Sequence, residues 1–272
     1  MRLKLLQLNI FKGKFLDNIV DLVKKENFDI LQFQEVTGGK KSNGGINLYP
    51  EKMNLPSGNI NNKTLGAFLF EDIKKIFHLN GDLVITNRIK SDPSSYEGNA
   101  TFYNNDIQCT EKNIIWLQDF KEIDEDYTEW ETIGRAALSL KLMYKGKQFY
   151  VINTHNAWGP NSLDEDYKIE QAQKLVQYIQ TLKLPYIVTG DFNVIPQTKT
   201  ISIMNSIGRN LISENNIYNT LNSNVHPAKR LFPPGIAVDY IFVEQNIKVI
   251  DFRVISNIDL SDHFGFILEF EI

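Results

Sequence analysis

T-G-D-F-N-V-I-P, residues 189–196, follows Tyr186-Ile187-Val188, and the reading of the whole chain turns on this stretch. The β-branched and aromatic run is a short buried strand in pattern. Gly190 ends it, and Asp191 and Asn193 come next, two residues apart. Residues i and i+2 of an extended segment point the same way, so a carboxylate and a carboxamide can converge on one ligand at the strand's end. Asp and Asn are also ordinary turn residues, so the stretch alone reads first as an Asx-rich turn. Recurrence favours the site: several other strand-like runs in the chain also end in a ligand-type residue.

Upstream, Ser162-Leu163-Asp164-Glu165 has the form of a capping box. It predicts a helix with Ile169, Ala172, Leu175, Val176, Ile179 and Leu182 on its inner face, stopped at Lys183-Leu184-Pro185. Before it, Ala136–Met143 and Gln148–Thr154 read as strands joined at Lys145-Gly146-Lys147, and the second leads into His155. Downstream, Thr200–Ile207 reads as a short helix closed by Gly208. Val238–Val243 is a strand with Asp239 at its start, and Ser261-Asp262-His263 precedes a last strand, Phe264–Ile272.

The N-terminal part follows the same logic. Residues 3–10, L-K-L-L-Q-L-N-I, form a strand with Asn9 at its end. Phe15–Glu26 repeats its apolar residues at helical spacing, and Asp29–Val36 is a second strand ending in Gln34-Glu35. Strand, helix and strand within 36 residues predict a parallel crossover. Phe68–Leu79 favours a helix, and Asp82–Asn87 and Ala100–Tyr103 short strands. Residues 119–131 hold seven acids against Lys121 and read as a solvated loop. Thr37–Asn62 and Asn222–Gly235 are long polar loops of the kind that carry function in compact domains.

Composition limits the classes. At 272 residues, with 42% hydrophobic and 23% charged residues, the chain suits a soluble globular protein. No composition shift or repeat divides it, so residues 1–272 are expected to form one domain. The single cysteine, Cys109, excludes an internal disulfide framework and a cysteine-type zinc site. No apolar stretch approaches the ~18 residues of a membrane span, and the N-terminus lacks a signal-like apolar run. A cytoplasmic monomer is the expectation. Net charge is −4, and Glu35, Asp191, Asp239 and Asp262 alone account for four negative charges. The rest is balanced, so attraction for phosphate must come from a bound cation or a local patch.

The strand-end residues are Asn9, Glu35, His155, Asp191, Asn193, Asp239, Asp262 and His263. All are oxygen or imidazole donors. Carboxylates with amides suit a hard divalent ion such as Mg2+ or Mn2+, and that set fits metal-assisted hydrolysis at phosphorus. The segments L-N-I (8–10), Q-E-V (34–36), N-T-H (153–155), G-D-F-N (190–193), D-Y-I-F (239–242) and S-D-H (261–263) resemble, in order, the motifs of the endonuclease/exonuclease/phosphatase superfamily. Gly98-Asn99-Ala100 and Arg135 resemble less constant positions of it. Two departures stand out: Phe264-Gly265 after S-D-H, and Asn156 after N-T-H.

The resemblance implies an α+β fold, a four-layer α/β-β/α sandwich in which two facing mixed β-sheets are flanked by helices. It also implies roles. Glu35 is the main metal ligand, Asn9 helps hold the metal, and Asp262 is a further ligand or support. Asp191 activates the attacking water, and Asn193 bonds the phosphate or that water. Asp239 orients His263, which stabilises phosphoryl charge; His155 contacts phosphate or protonates the leaving oxygen. The loops set the substrate. Arg135, Trp158, Lys229 and Arg230 are candidate substrate contacts, with Lys40, Lys41 and Phe232 beside them. The expected reaction is phosphodiester hydrolysis on DNA, RNA or a nucleotide-containing ester. Inositol-phosphate or sphingomyelin head groups are the alternative, and an inactive binding module the remote one.

Overall fold

Leu3 and Leu5 face one way from the first strand and Leu6, Leu8 and Ile10 the other, into two separate apolar clusters. That period-two division is what a strand buried on both faces requires. The computed structural model describes residues 2–39, 68–159, 161–226 and 236–272. In it the first strand, β1 (Arg2–Asn9), runs parallel to β2 (Ile30–Gly38) through helix α1 (Leu16–Glu26), as the crossover reading expected. Helix α1 carries Asp17 in its first turn and Lys24 and Lys25 in its last, matching the helix dipole. Asn27 ends it in the left-handed conformation, its N–H donating to the Val23 carbonyl.

Helix α2 (Leu69–Phe77) leads to β3 (Asn80–Ile89), β4 (Asp92–Tyr103), β5 (Gln108–Gln118) and β6 (Lys121–Ile123). Next come β7 (Arg135–Tyr144), β8 (Lys147–His155), α3 (Asp166–Ile179), β9 (Tyr186–Asp191), α4 (Lys199–Met204), β10 (Arg209–Asn210) and α5 (Leu211–Glu214). The chain closes with β11 (Asp239–Val243), β12 (Lys248–Ile255) and β13 (Gly265–Glu271). The strands form a seven-stranded sheet, β12-β13-β1-β2-β4-β3-β6, and a six-stranded sheet, β10-β11-β9-β8-β7-β5. Both sheets mix parallel and antiparallel pairs.

Leu3, Leu5 and Ile30 of the first sheet share a cluster with Val151, Ile187 and Ile241 of the second, so the two inner faces pack on each other. Helices α1 and α2 cover the outer face of the first sheet through Leu16, Ile19, Leu69 and Ile73. Helix α3 contributes Ala172, Leu175, Val176 and Ile179 to the larger cluster. This is the layered arrangement the motifs implied.

Several local expectations are corrected. The Ser162–Glu165 capping box does not cap α3, whose N-cap, Glu165, makes no side-chain cap bond. Asp164 instead accepts from the N–H groups of Lys199 and Thr200, at 2.6 and 3.0 Å, at the start of α4. On α3, Lys168 and Gln171 are buried while Ile169 is only partly so. Strands β5 and β12 were not anticipated; both lie at sheet edges and are mostly exposed or half-buried, although Ile115, Leu117, Phe252 and Val254 still pack on the larger cluster. The acidic stretch contains β6, which pairs in parallel with β3 and sets Ile123 against Ile89 and Ile133.

Candidate active site

Strand register brings the site together. Within the second sheet, His155 on β8 lies opposite Asp191 on β9, which lies opposite Asp239 on β11. One step deeper, Thr189 donates its hydroxyl to Gln32 of the first sheet at 2.8 Å. Asn153 accepts from Gln34 at 2.6 Å, and Gln34 accepts from Gln7 at 3.0 Å. Residues two along each strand, Asn9, Asp191 and His155, therefore point into the same cleft between the sheets. The polar bridge beneath them excludes register slips, because a one-residue shift would bury its amides against apolar side chains.

Glu35 reaches this cleft by a device that the sequence conceals. By simple alternation it would follow Phe33 to the outer face. The β2–β4 register shifts between Phe33 and Val36, and Glu35 takes φ 56. Such a bulge re-aims a side chain. The Glu35 Oε1 accepts from Asn9 Nδ2 at 3.2 Å, while Oε2 is buried without a hydrogen-bond partner among the described residues. Burial and repulsion from Glu97 push the Glu35 carboxyl up to about 7, with Lys12 opposing. A buried carboxylate oxygen lacking a donor is what a cation ligand looks like without its cation. Glu35 and Asp262 thus offer hard oxygen donors that fit a divalent ion, whereas Asn9, expected to help hold the metal, presents its Nδ2 to Glu35 while its Oδ1 accepts from the Phe11 N–H at 3.1 Å.

Asp191 sits at the centre. Its Oδ2 lies 3.3 Å from Asn9 Nδ2, 3.5 Å from His155 Nε2 and 3.8 Å from His263 Nε2. Its Oδ1 accepts from the Asn193 N–H at 2.9 Å, closing a turn in which Asn193 has φ 54. Burial lifts the Asp191 carboxyl to about 6; His263 opposes the rise and Asp239 adds to it. Gly190 permits this arrangement: a Cβ there would lie 2.0 Å from the Thr154 carbonyl oxygen.

Asp239 holds His263. Its Oδ2 lies 2.9 Å from His263 Nδ1 and accepts from Thr220 Oγ1 at 2.7 Å. The imidazole's Nδ1–H donates to the carboxylate, which turns Nε2 towards Asp191. Burial would lower the affinity of His263 for a proton, but Asp239 and Asp191 outweigh it and raise the pKa well above the usual value. His155 is the opposite case. Burial, then Arg135, then His263 press its pKa well down. The cleft thus holds one cationic and one neutral imidazole at neutral pH.

The remaining candidates divide. Asn193 donates its Nδ2 to the Asn156 carbonyl at 3.1 Å. Asn156 is fully buried, and its N–H donates to the Asp191 carbonyl, so this departure from the motif buttresses the turn. Arg135 is buried at the start of β7, near enough to His155 to act on its charge. Trp158 is exposed, its carbonyl held by Tyr167. Asp262 is buried, with Ser261 donating to it at 3.0 Å. Lys229, Arg230, Lys40, Lys41 and Phe232 lie outside the described residues.

Four residues near the cleft escaped the sequence reading. Lys12 follows β1 in a left-handed turn, φ 55, and its Nζ lies 3.7 Å from Glu97 Oε2. Lys168 is fully buried and donates to the carbonyls of Leu163 and Asn193. Thr220 holds Asp239. His226 packs edge-on to His263 with ring centroids 6.0 Å apart. The pair Lys12 and Lys14 around Gly13, directly after the L-N-I motif, was the one available signal.

Comparison with known proteins agrees with this fold. The family model described as the endonuclease/exonuclease/phosphatase family matches residues 6–263. No curated protein matches by sequence. Among solved structures, a mannosyl-6-phosphatase from Bacteroides thetaiotaomicron superposes with TM-score 0.64 at 18% identity, over 99% of this chain and 100% of that one. The human nocturnin catalytic domain with bound sulfate gives 0.63 at 18%, over 99% and 94%. D. rerio TDP2 complexed with a single-strand DNA product gives 0.67 at 13%, over 100% and 99%. With the matched region running from β1 to His263, the chain belongs to the endonuclease/exonuclease/phosphatase family.

Proposed function

We propose that this chain is a divalent-metal-dependent phosphoester hydrolase, built as one catalytic domain over residues 1–272, that acts as a phosphodiesterase on nucleic acid or a nucleotide-containing ester. One observation carries the reading: Asn9, His155 and His263 all direct nitrogen atoms at Asp191 Oδ2, within 3.3 to 3.8 Å, beside the partnerless Glu35 oxygen. Glu35 and Asp262 would hold Mg2+ or Mn2+, with the Asn9 Nδ2 positioning the Glu35 carboxylate. When bound, such an ion supplies charge neutralisation at the phosphoryl oxygens.

The chain's own residues do the rest. Asp191 takes a proton from the attacking water; with its carboxyl raised to about 6 it is a stronger base than an ordinary aspartate, yet still ionised near neutrality. The water oxygen forms the new bond to phosphorus as the ester bond breaks. Asn193 hydrogen-bonds the scissile phosphate or the water. His263, kept cationic by Asp239, offers Nε2 to the charge developing on the phosphoryl oxygens. His155, kept neutral, offers a hydrogen bond to phosphate or to the leaving oxygen.

Fold does not select the substrate. The structural neighbours include a phosphatase and a protein bound to a DNA product, both below 20% identity. The test is hydrolysis of bis-p-nitrophenyl phosphate with Mg2+, Mn2+ or EDTA, followed by single-stranded DNA, abasic duplex, RNA, sphingomyelin and inositol phosphates side by side. Asp191→Ala and His263→Ala should each lose at least ~100-fold in metal-dependent turnover. Rates like those of the parent protein in both variants would overturn the reading.

A further inference from the structure

His226 belongs to none of the family-like motifs, yet the backbone fixes it beside the site. The segment 220–226 is laced to 262–264: the Asn222 N–H donates to the Asp262 carbonyl at 2.8 Å and the Phe264 N–H to the Thr220 carbonyl at 2.7 Å. The His226 N–H then closes a turn on the Asn222 carbonyl at 2.7 Å. Side-chain bonds tighten it, with Asn222 Nδ2 donating to Asp259 and to the Ser261 carbonyl. As a result one ligand-type atom each from His226, Asp262 and His263 falls within 4.8 Å of the others.

The donor set differs in kind from that around Glu35. Two imidazoles and one carboxylate are the protein ligands of open zinc sites, with water completing the shell. Magnesium prefers oxygen throughout. A second, independent feature is the Asp239–His263 pair. Metal-binding histidines characteristically donate their other ring N–H to a carboxylate, which fixes the ring and raises its basicity. His263 Nδ1 meets Asp239 Oδ2 at 2.9 Å, and Thr220 in turn holds that carboxylate at 2.7 Å.

We propose that His226, Asp262 and His263 form a site for a borderline transition ion, Zn2+, which shares Asp262 with the Glu35 site but adds two imidazoles, and that its occupancy withdraws His263 from phosphoryl chemistry as a reversible off state. The site itself stands apart from the hydrolase reading; the off state rests on it. Small movements of the two rings would draw three donors now spread over as much as 4.8 Å into one coordination shell.

The test is calorimetric titration of ZnCl2 into the full chain without Mg2+. One Zn2+ should bind per chain, at least ~10-fold more weakly in His226→Gln and unchanged in Glu35→Gln. His226→Cys, which offers a thiolate that zinc accepts, should bind within about tenfold of the parent protein. In the bis-p-nitrophenyl phosphate assay, Zn2+ should inhibit the Mg2+-supported rate, and His226→Gln should require correspondingly more of it. Equal zinc affinity in the parent protein and His226→Gln would overturn the site, as would loss of binding in both the Gln and Cys variants. If no phosphoester is turned over, the calorimetry still decides the site, so the two readings fail separately.

Discussion

Replacing Glu35 with Gln should make the metal-free protein more stable and cost it its stabilisation by metal. The unfolded carboxyl titrates near 4.5 and the folded one at about 7, because burial and Glu97 disfavour its charge. A raised acid binds its proton more tightly in the folded state. Between pH 4.5 and about 7 the folded protein therefore holds the extra proton, and its stability falls as pH rises through that window. At ~1.4 kcal/mol per pH unit, the penalty above the window reaches at most about 3 kcal/mol. Gln keeps the bond from Asn9 but leaves an amide group where Oε2 now lies unpartnered, which offsets roughly 1 kcal/mol. The net gain at pH 8 is about 2 kcal/mol, turning to a loss of about 1 kcal/mol below pH 4.5, where the carboxyl is protonated in both states and only the amide's cost remains. Mg2+ at about a hundredfold excess over its Kd should stabilise the parent protein by ~2.7 kcal/mol and the variant by much less. Urea denaturation at pH 4, 6 and 8, with and without Mg2+, reads all of this. A parent protein more stable than Glu35→Gln without metal at every pH, with equal Mg2+ shifts in both, would refute the reasoning.

Asp239→Asn removes the charge that raises the His263 pKa, so the alkaline limb of the pH–rate profile should move to lower pH and turnover at pH 8 fall by at least ~100-fold; an unmoved limb would contradict the assigned pair. Asp164→Ala should lose the bonds to Lys199 and Thr200 that start α4, lowering stability by about 1 kcal/mol in a denaturant titration, whereas reading the segment as a cap for α3 predicts lost helicity there instead. Gly190→Ala places a Cβ 2.0 Å from the Thr154 oxygen and should cost more than ~3 kcal/mol or prevent folding, visible as loss of soluble protein or of the thermal transition. Lys168→Met should destabilise by about 1–3 kcal/mol, since the Leu163 and Asn193 carbonyls lose a buried donor.

The strand-end carboxylates, amides and histidines could be read from the sequence because each is a short local pattern: a β-branched run, then a ligand-type residue. That pattern set Asn9, Asp191 and His155 at the ends of their own strands, without relating one strand to another. The β1–α1–β2 crossover was equally local. Edge strands β5 and β12 were not legible, since most of their residues stay exposed or half-buried and leave only a weak apolar alternation in the sequence. Nor was the turning of Glu35 into the cleft, which depends on a bulge set by pairing with β4, a strand some 60 residues away in the chain. Lys12, Thr220 and His226 have no motif at all; they matter through what register and turns set beside them. Sequence by itself thus determined which chemical groups stand at the ends of strands. Only the tertiary structure decided that two sheets face each other closely enough for those ends to meet, and gave the groups their protonation states, because burial and neighbouring charge exist only once the chain has packed.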